Sequence, residues 1–277
     1  MYYNNYSKSE KNYLNKGLII KETENKKSLF YINKIIKKKL IKILKINIKI
    51  KNFNLNKLHN YINEKNINQI RLSLIESVNK DKNFKKEFLK VAQKMLSNIV
   101  GNELAMQNNI NLSIQIPNDE SSLLPIHSDT WSGDSPFETV LWLPMVNCYK
   151  TKSMFILDAK KMNKFNKTFK NKKIKTISDL YKKFKKDLNF IKINYGNYLL
   201  FNQNIPHGNL INTTNETRIS LNCRFKGLFT PYSQKELGSF FSPLKLRAAT
   251  KIGLEYKMPG EKKNKWFSKD IFQVENF

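Results

Sequence analysis

The chain contains few cysteines and no long hydrophobic run. Among its 277 residues only Cys148 and Cys223 are cysteines. Two cysteines are too few for a disulfide framework, and they fit a reducing compartment. No stretch of about 18 uncharged apolar residues exists, which excludes a membrane-spanning helix. The N-terminal residues also lack the apolar core of a secretory signal peptide, so we expect a cytoplasmic protein.

Acidic residues and arginine are scarce as well. The 22 Asp and Glu stand against 50 Lys and Arg, which gives a formal net charge of +28. Such a charge is typical of proteins that bind nucleic acid or anionic membranes. However, only four of the basic residues are arginines: Arg71, Arg218, Arg224 and Arg247. Because surfaces that contact DNA favour arginine for bidentate contacts, the charge is weak evidence for nucleic acid, and no such partner is expected.

The remaining composition is that of a globular protein, since 40% of the residues are hydrophobic and 12% are aromatic. Three regions are predicted along the chain. Residues 1–27 are polar and are expected to be loosely attached. Residues 28–101 predict a helical region that packs on the core. Residues 102–277 predict the main domain, with a lysine-rich helical insertion at 158–190.

Short strands in series are predicted within the main domain. Period-two alternation or short apolar runs indicate strands from residue 111 and at 138–146, 153–157, 190–194, 197–201 and 217–225. Strands in series that are separated by turn residues are typical of an all-β sandwich or barrel core.

One basic segment has two interpretations. In residues 28–51, Ile32, Ile36 and Leu40 recur at helical spacing among many lysines. An amphipathic helix of this kind can lie on an anionic membrane surface. It can equally pack its apolar face on the domain and expose its lysines, which is the interpretation that the overall lysine excess favours.

Two of the three histidines lie in the predicted β region. His127 is followed two residues later by Asp129, and His207 comes after the strand at 197–201. In an extended segment residues i and i+2 point to the same side, so His127 and Asp129 can bind one ion. Two imidazoles and one carboxylate form the facial triad of non-haem Fe(II) oxygenases. The sequence therefore predicts a metal site at His127, Asp129 and His207.

A polar strand face follows the second histidine of this triad. Arg218, Ser220, Asn222 and Arg224 alternate with apolar residues in TRISLNCRF. Two arginines on one face of a lysine-rich protein are typical of a pocket wall that binds an anion, because a guanidinium pairs bidentately with a carboxylate.

These motifs together resemble a known enzyme family. The His-x-Asp pair, the later histidine and the Arg-x-Ser about eleven residues beyond it are similar to the motifs of 2-oxoglutarate/Fe(II)-dependent dioxygenases. Within that superfamily, residues 111–157 and 190–232 resemble the 2OG-Fe(II) oxygenases of sporadic carbohydrate-biosynthesis clusters of bacteria. One departure is Asn197, where many relatives carry Asp; the position is not a ligand.

The resemblance implies an α+β fold with a double-stranded β-helix core, also called a jelly roll or cupin-like core. It implies that His127, Asp129 and His207 bind Fe(II), and that Arg218 with Ser220 binds the distal carboxylate of 2-oxoglutarate. The implied reaction uses O2, converts 2-oxoglutarate to succinate and CO2, and oxidises a substrate C–H bond. The implied substrate is a sugar or glycan intermediate. Apart from the resemblance, the lysine excess is expected to attract a sugar that is linked to a phosphate or nucleotide.

Further residues are candidates for the pocket or rivals for the metal. The candidate pocket residues are Arg224, Asn222, Ser113, Gln115 and Trp131. Arg224 is equally well explained as an ion-pair partner. For Trp131, a place in the core is favoured over a stacking role in the pocket. Asp134 and Glu138 are rival carboxylates, although GDSP is more typical of a turn.

Two other classes of function stay open. A cupin-type sugar epimerase or isomerase shares the jelly-roll fold, but it needs no arginine for a 2-oxo acid. A basic module that binds nucleic acid or a membrane surface explains the charge and leaves the His, Asp and Arg residues without a role.

Overall fold

A computed structural model describes residues 5–169 and 176–260 of the chain. Helices and antiparallel sheets are both present, as the predicted α+β class requires. The remaining residues of the predicted insertion and of the C-terminal tail, 170–175 and 261–277, lie outside the described residues.

The helices lie mainly in the first hundred residues and in the insertion. Their bounds are α1 Lys8–Lys16, α2 Lys26–Leu44, α3 Ile67–Asn79, α4 Phe84–Lys90, α5 Gln93–Ile99, α6 Met162–Phe169, α7 Ile177–Phe184 and α8 Ala248–Glu255. The strands are β1 Leu18–Glu22, β2 Leu104–Gln107, β3 Asn111–Gln115, β4 Glu138–Pro144, β5 Met154–Leu157, β6 Leu188–Phe190, β7 Asn197–Asn202, β8 His207–Asn209, β9 Arg218–Gly227 and β10 Phe241–Lys245.

The strands of the described residues form two sheets. The larger sheet has the order β1-β7-β4-β9-β2-β10, with β3 also paired to β9, and the smaller has the order β6-β5-β8. Strand β9 is central: it pairs with β4 over seven residues and with β3 over five. Its long pairing fixes which side chains face the interior, because a slip of one residue would move every side chain to the other face.

Helix α2 packs its apolar face on the protein. Asn25 caps its start by accepting a hydrogen bond from the Ser28 N–H. Ile32, Ile36 and Leu40 are fully buried, and each contributes about 1.5–3 kcal/mol through burial. They belong to one apolar cluster that continues through α3 and α4 into the sheets. Segment 28–51 therefore packs its apolar face on the domain, as the second interpretation of its sequence predicts.

The N-terminal segment differs from the prediction. Residues 8–16 form a helix that starts with a capping box of Ser7 and Glu10, and β1 pairs with β7 along its whole length. The expectation of a loosely attached end was wrong, because the pairing partner lies almost 180 residues away and local composition does not reveal it. Among the described helices, none has both the length and the apolar character that crossing a membrane requires.

A buried lysine ties the segment before β9 to the helical region. The Lys152 side chain is fully buried, and its ammonium donates hydrogen bonds to Glu216 Oε2 at 2.6 Å and to Asn56 Oδ1 at 2.7 Å. The Thr217 N–H also donates to the Asn56 carbonyl. These bonds hold the chain at the entry to β9, directly before Arg218.

We expect Glu216→Ala to lower the free energy of unfolding by about 2–4 kcal/mol, because it leaves the Lys152 ammonium buried without its anion. The double variant Lys152→Met/Glu216→Leu removes both charges and is expected to lie within about 1 kcal/mol of the wild type. Urea unfolding monitored by circular dichroism measures both. A single variant as stable as the double one would contradict a role for this pair.

Candidate metal and anion site

The three predicted metal ligands lie together at the meeting point of two extended segments. His127 and His207 exchange backbone hydrogen bonds of 2.9 and 2.8 Å, which places their side chains next to each other. Asp129 begins the short 3-10 turn Asp129–Ser132. Its Oδ1 lies 3.5 Å from His127 Nε2 and 3.7 Å from His207 Nε2. One ligand atom from each residue lies within 4.8 Å of the other two, which is close enough to share an ion.

Hydrogen bonds on the far side of each ring orient the two histidines. His127 Nδ1 lies 2.7 Å from the Pro125 carbonyl, and His207 Nδ1 lies 2.9 Å from the Ile205 carbonyl. A carbonyl only accepts, so each Nδ1 carries a proton, and in the neutral form of each ring Nε2 presents a lone pair toward Asp129. These donors fit a first-row divalent metal in the two-histidine, one-carboxylate class.

Burial and the neighbouring charges shift the pKa values of the three residues in different directions. Burial lowers the pKa of His207 to about 4, so its imidazole is neutral near pH 7. Burial alone would raise the pKa of Asp129, but the interactions with His127, His207 and Arg224 hold it well below its usual range. For His127, burial lowers the pKa, yet the interaction with Asp129 outweighs it and raises the pKa overall.

A cavity of about 670 Å³ opens beside the triad. Its wall includes the polar face of β9, namely Arg218, Ser220, Asn222 and Arg224. The alternate residues Ile219, Leu221, Cys223 and Phe225 are fully buried in the core on the other side of the strand. The alternation predicted for this strand is confirmed.

Arg218 is buried with most of its hydrogen-bonding capacity unused. Its Nη2 donates to Ser113 Oγ at 3.1 Å, whereas Nε and Nη1 have no partner, and neither has the nearby Ser220 Oγ. Burial lowers the pKa of Arg218, although a guanidinium stays charged in proteins. Buried donors without partners are rare and costly. This arrangement fits an anion with several acceptor oxygens, such as a carboxylate.

Arg224, in contrast, is fully engaged with acidic and amide groups. Its Nη2 lies 2.9 Å from Asp129 Oδ2, and its Nε lies 3.1 Å from Asp134 Oδ1. The Nε also donates to Gln203 Oε1 at 3.1 Å. Because Arg224 occupies Oδ2 of Asp129, only Oδ1 faces the two histidines.

The rival carboxylates contact Arg224 rather than the histidines. Asp134 is bound between Arg224 and the Lys235 ammonium. Glu138 accepts hydrogen bonds from the Ser135 N–H and from Gln203 Nε2, and burial raises its pKa. Among the described residues, neither joins the group that can share an ion with the two histidines.

Three of the five candidate pocket residues line the cavity: Ser113, Asn222 and Arg224. The Gln115 side chain instead donates to the Leu210 carbonyl and is fully buried outside the cavity wall. Trp131 is not among the lining residues; its ring stacks on Phe165 of the insertion with centroids 6.1 Å apart. The interpretation of Trp131 as a core residue was wrong, since 47% of it is exposed.

Several lining residues were not predicted. Arg71 and Leu72 come from α3, Lys235 comes from the loop after β9, and Asn209 follows His207 on β8. Of these, only Arg71 had a usable signal, because arginine is rare in this chain. Lys235 cannot be told apart from the many surface lysines without its contact to Asp134.

Comparison with known proteins gives similarity at the level of structure only. No protein-family model matches the chain, and no curated protein matches it significantly. EctD from S. alaskensis with bound Fe aligns over 84% of this chain and 81% of its own, with 12% identity and a TM-score of 0.52. The same protein with 2-oxoglutarate and 5-hydroxyectoine gives a TM-score of 0.54, with 12% identity and coverage of 84% and 80%.

A third similar structure is that of a carbocyclase. SnoK, a non-heme alpha-ketoglutarate-dependent carbocyclase from nogalamycin biosynthesis, aligns over 80% of this chain and 84% of its own, with 9% identity and a TM-score of 0.51. At such identities the likeness establishes the fold. The chain therefore has the double-stranded β-helix fold of the non-haem iron, 2-oxoglutarate-dependent oxygenases.

Proposed function

We propose that the protein is an Fe(II)/2-oxoglutarate-dependent oxygenase that oxidises a C–H bond of a sugar or glycan intermediate. One observation carries the proposal. A buried arginine with unused donors and a two-histidine, one-carboxylate cluster line the same cavity. A metal site alone fits many functions, but this pairing supplies a place for both ends of a 2-oxo dicarboxylic acid.

In this proposal His127 and His207 hold the iron through Nε2, and Asp129 holds it through Oδ1. Iron with bound 2-oxoglutarate supplies the oxidation by O2. Arg218 and Ser220 bind the distal carboxylate of 2-oxoglutarate, and Ser113 fixes the Arg218 guanidinium. Arg218 thereby orients the cosubstrate so that its 2-oxo acid end reaches the metal.

Arg224 has a positioning role in this proposal. By holding Asp129 Oδ2 at 2.9 Å it restricts Asp129 to one ligating oxygen. A carboxylate that binds through one oxygen leaves more coordination positions for cosubstrate and O2. Asp134 and Gln203 in turn fix Arg224, as outer partners commonly do at metal sites.

The sugar part of the proposal rests on the resemblance of residues 111–157 and 190–232 to carbohydrate-cluster oxygenases. The cavity is compatible with it, because Asn111 and Asn222, which carry amide side chains, line the wall. Amides both donate and accept, as recognition of hydroxyl groups requires. A cupin-type epimerase would not need the unpaired guanidinium of Arg218.

Turnover assays test the proposed reaction. Protein with Fe(II), 2-oxoglutarate and O2 is incubated with neutral and nucleotide-linked sugars, and succinate and product masses are measured. We expect succinate formation that needs Fe(II) and is stimulated by a subset of the sugars, with a product of altered mass. Asp129→Ala is expected to abolish it, whereas Arg247→Ala, a change outside the cavity, retains it. Metal-loaded, folded protein that neither binds nor consumes 2-oxoglutarate would overturn the proposal.

A further inference from the structure

Arginine is concentrated at the cavity. Only four of the 50 basic residues are arginines, and three of these four, Arg71, Arg218 and Arg224, line this cavity. Two of them have roles in the proposed function. Arg71 has none, and it comes from helix α3 of the N-terminal region rather than from the sheets.

Among the described residues, the guanidinium of Arg71 has no acidic partner. Its Nη2 donates to Asn68 Oδ1 at 2.6 Å, and its Nε is buried without a hydrogen-bond partner. No carboxylate of the described residues lies within ion-pair distance of it, whereas Arg224 has Asp129 and Asp134. Arg71 therefore presents an uncompensated positive charge at the cavity wall.

The metal and the cosubstrate do not remove the surplus charge of the cavity. The lining residues include four cations, Arg71, Arg218, Arg224 and Lys235, against the two carboxylates Asp129 and Asp134. A divalent metal and the 2-oxoglutarate dianion cancel each other. With both bound, the lining residues still carry two more positive than negative charges. One surplus positive charge remains after Glu138, 3.9 Å from Arg224 Nε, is counted, and this surplus favours a further anion.

The surroundings of Arg71 are suited to the substrate side of the cavity. Its helix packs against β3, where Asn111 stands opposite Asn222 of β9, and both line the wall. The next helix residue, Leu72, and Leu124 line the cavity and are each 55% exposed. The two leucines are therefore accessible at the edge of the cavity, and Asn111 and Asn222 supply amide groups to its wall.

We propose that Arg71 anchors an anionic group of the substrate, a phosphate or a carboxylate, in addition to the 2-oxoglutarate at Arg218. This inference rests on the proposed function, since it names the substrate class of the same cavity. The guanidinium forms two parallel hydrogen bonds to such a group, which a lysine does not reproduce. The substrate is then an acidic or phosphorylated sugar rather than a neutral one.

Calorimetric titrations of the protein loaded with Zn(II) and 2-oxoglutarate test this inference. The probes are glucose 1-phosphate for the phosphate, glucuronate for the carboxylate and glucose as the neutral control. We expect one charged probe to bind more tightly than glucose. We expect Arg71→Gln to weaken that binding by about tenfold or more, and Arg71→Lys to weaken it less. Arg247→Gln removes the same charge outside the cavity and is expected to change it less than about twofold.

The outcomes separate this inference from the proposed function. Equilibrium dialysis of 2-oxoglutarate with each Zn(II)-loaded variant shows whether the cosubstrate site is intact, and Arg71→Gln is expected to leave it so. Equal binding of the charged probe to Arg71→Gln and Arg247→Gln would overturn the role of Arg71. So would the absence of binding of both charged probes, or displacement of 2-oxoglutarate by them. Failure of the wild type to bind 2-oxoglutarate would instead contradict the proposed function.

Discussion

Arg218→Met is expected to weaken 2-oxoglutarate binding by about 100-fold or more while metal binding is largely retained. A buried charge-assisted pair contributes about 1.5–3 kcal/mol per hydrogen bond, and the bidentate geometry provides two such bonds. Arg218 does not contact the three metal ligands through any ion pair of the described residues, so its loss leaves them in place. Equilibrium dialysis of 2-oxoglutarate and of Zn(II) measures the two affinities separately.

Although Arg218→Met weakens 2-oxoglutarate binding, it is not expected to lower the stability of the ligand-free protein. Without a bound anion, the wild-type protein buries a guanidinium that has one hydrogen bond and no ion pair within residues 5–169 and 176–260. Methionine fills a similar volume without a charge, so the ligand-free variant is expected to be at least as stable as the wild type.

The binding measurements decide the role of Arg218. Metal affinity that falls in parallel with 2-oxoglutarate affinity would contradict the assignment of Arg218 to the cosubstrate.

Arg224→Met is expected to have the largest effect on stability. Asp129 and Asp134 are both buried and share the Arg224 guanidinium, and Glu138 lies 3.9 Å from it. Removing one partner of a buried ion pair costs about 3–5 kcal/mol, because charges remain buried without compensation. We therefore expect a loss of this size in the metal-free protein, measured by urea unfolding.

Matched variants identify the cause of this loss. Arg224→Lys keeps the charge without the fork of donors and is expected to lose less. Asp134 keeps its ion pair with Lys235 in Arg224→Met, whereas Asp129 loses the guanidinium that pairs with it. In Arg224→Met/Asp129→Asn that carboxylate is gone, so the double variant is expected to be more stable than Arg224→Met alone. Zn(II) supplies a positive charge at Asp129 and stabilises the folded state by mass action. A loss that neither the second substitution nor Zn(II) reduces would exclude the electrostatic cause.

The parts of the site that were predictable follow local rules. His127 and Asp129 are two residues apart in an extended segment. On strand β9, polar residues alternate with apolar ones from Arg218 to Arg224. Both relations depend only on the period of two of the β conformation. The residue types then specify the chemistry, since few side chains bind metals or carboxylates in this combination.

The parts that were missed depend on contacts between distant segments. Strand β1, with the sequence LIIKE, is a short apolar run inside an otherwise polar segment, and it becomes a strand through its pairing with the distant β7. Lys152 looks like any of the chain's many lysines, and only the fold brings Glu216 to it. Arg71 lies on a helix whose packing against β3 carries it to the cavity. Trp131 was misassigned because an aromatic residue next to a metal ligand has no local pattern that shows its exposure.

Anaerobic addition of Fe(II) and 2-oxoglutarate tests the proposed cosubstrate complex most directly. Chelation of iron by the 2-oxo acid within the site produces a metal-to-ligand absorption band in the visible spectrum. We predict that the wild-type protein shows this band, that His207→Ala lacks it, and that Arg218→Met needs far more 2-oxoglutarate to produce it. Absence of the band in folded wild-type protein, or its persistence in His207→Ala, would contradict the assignment of the site.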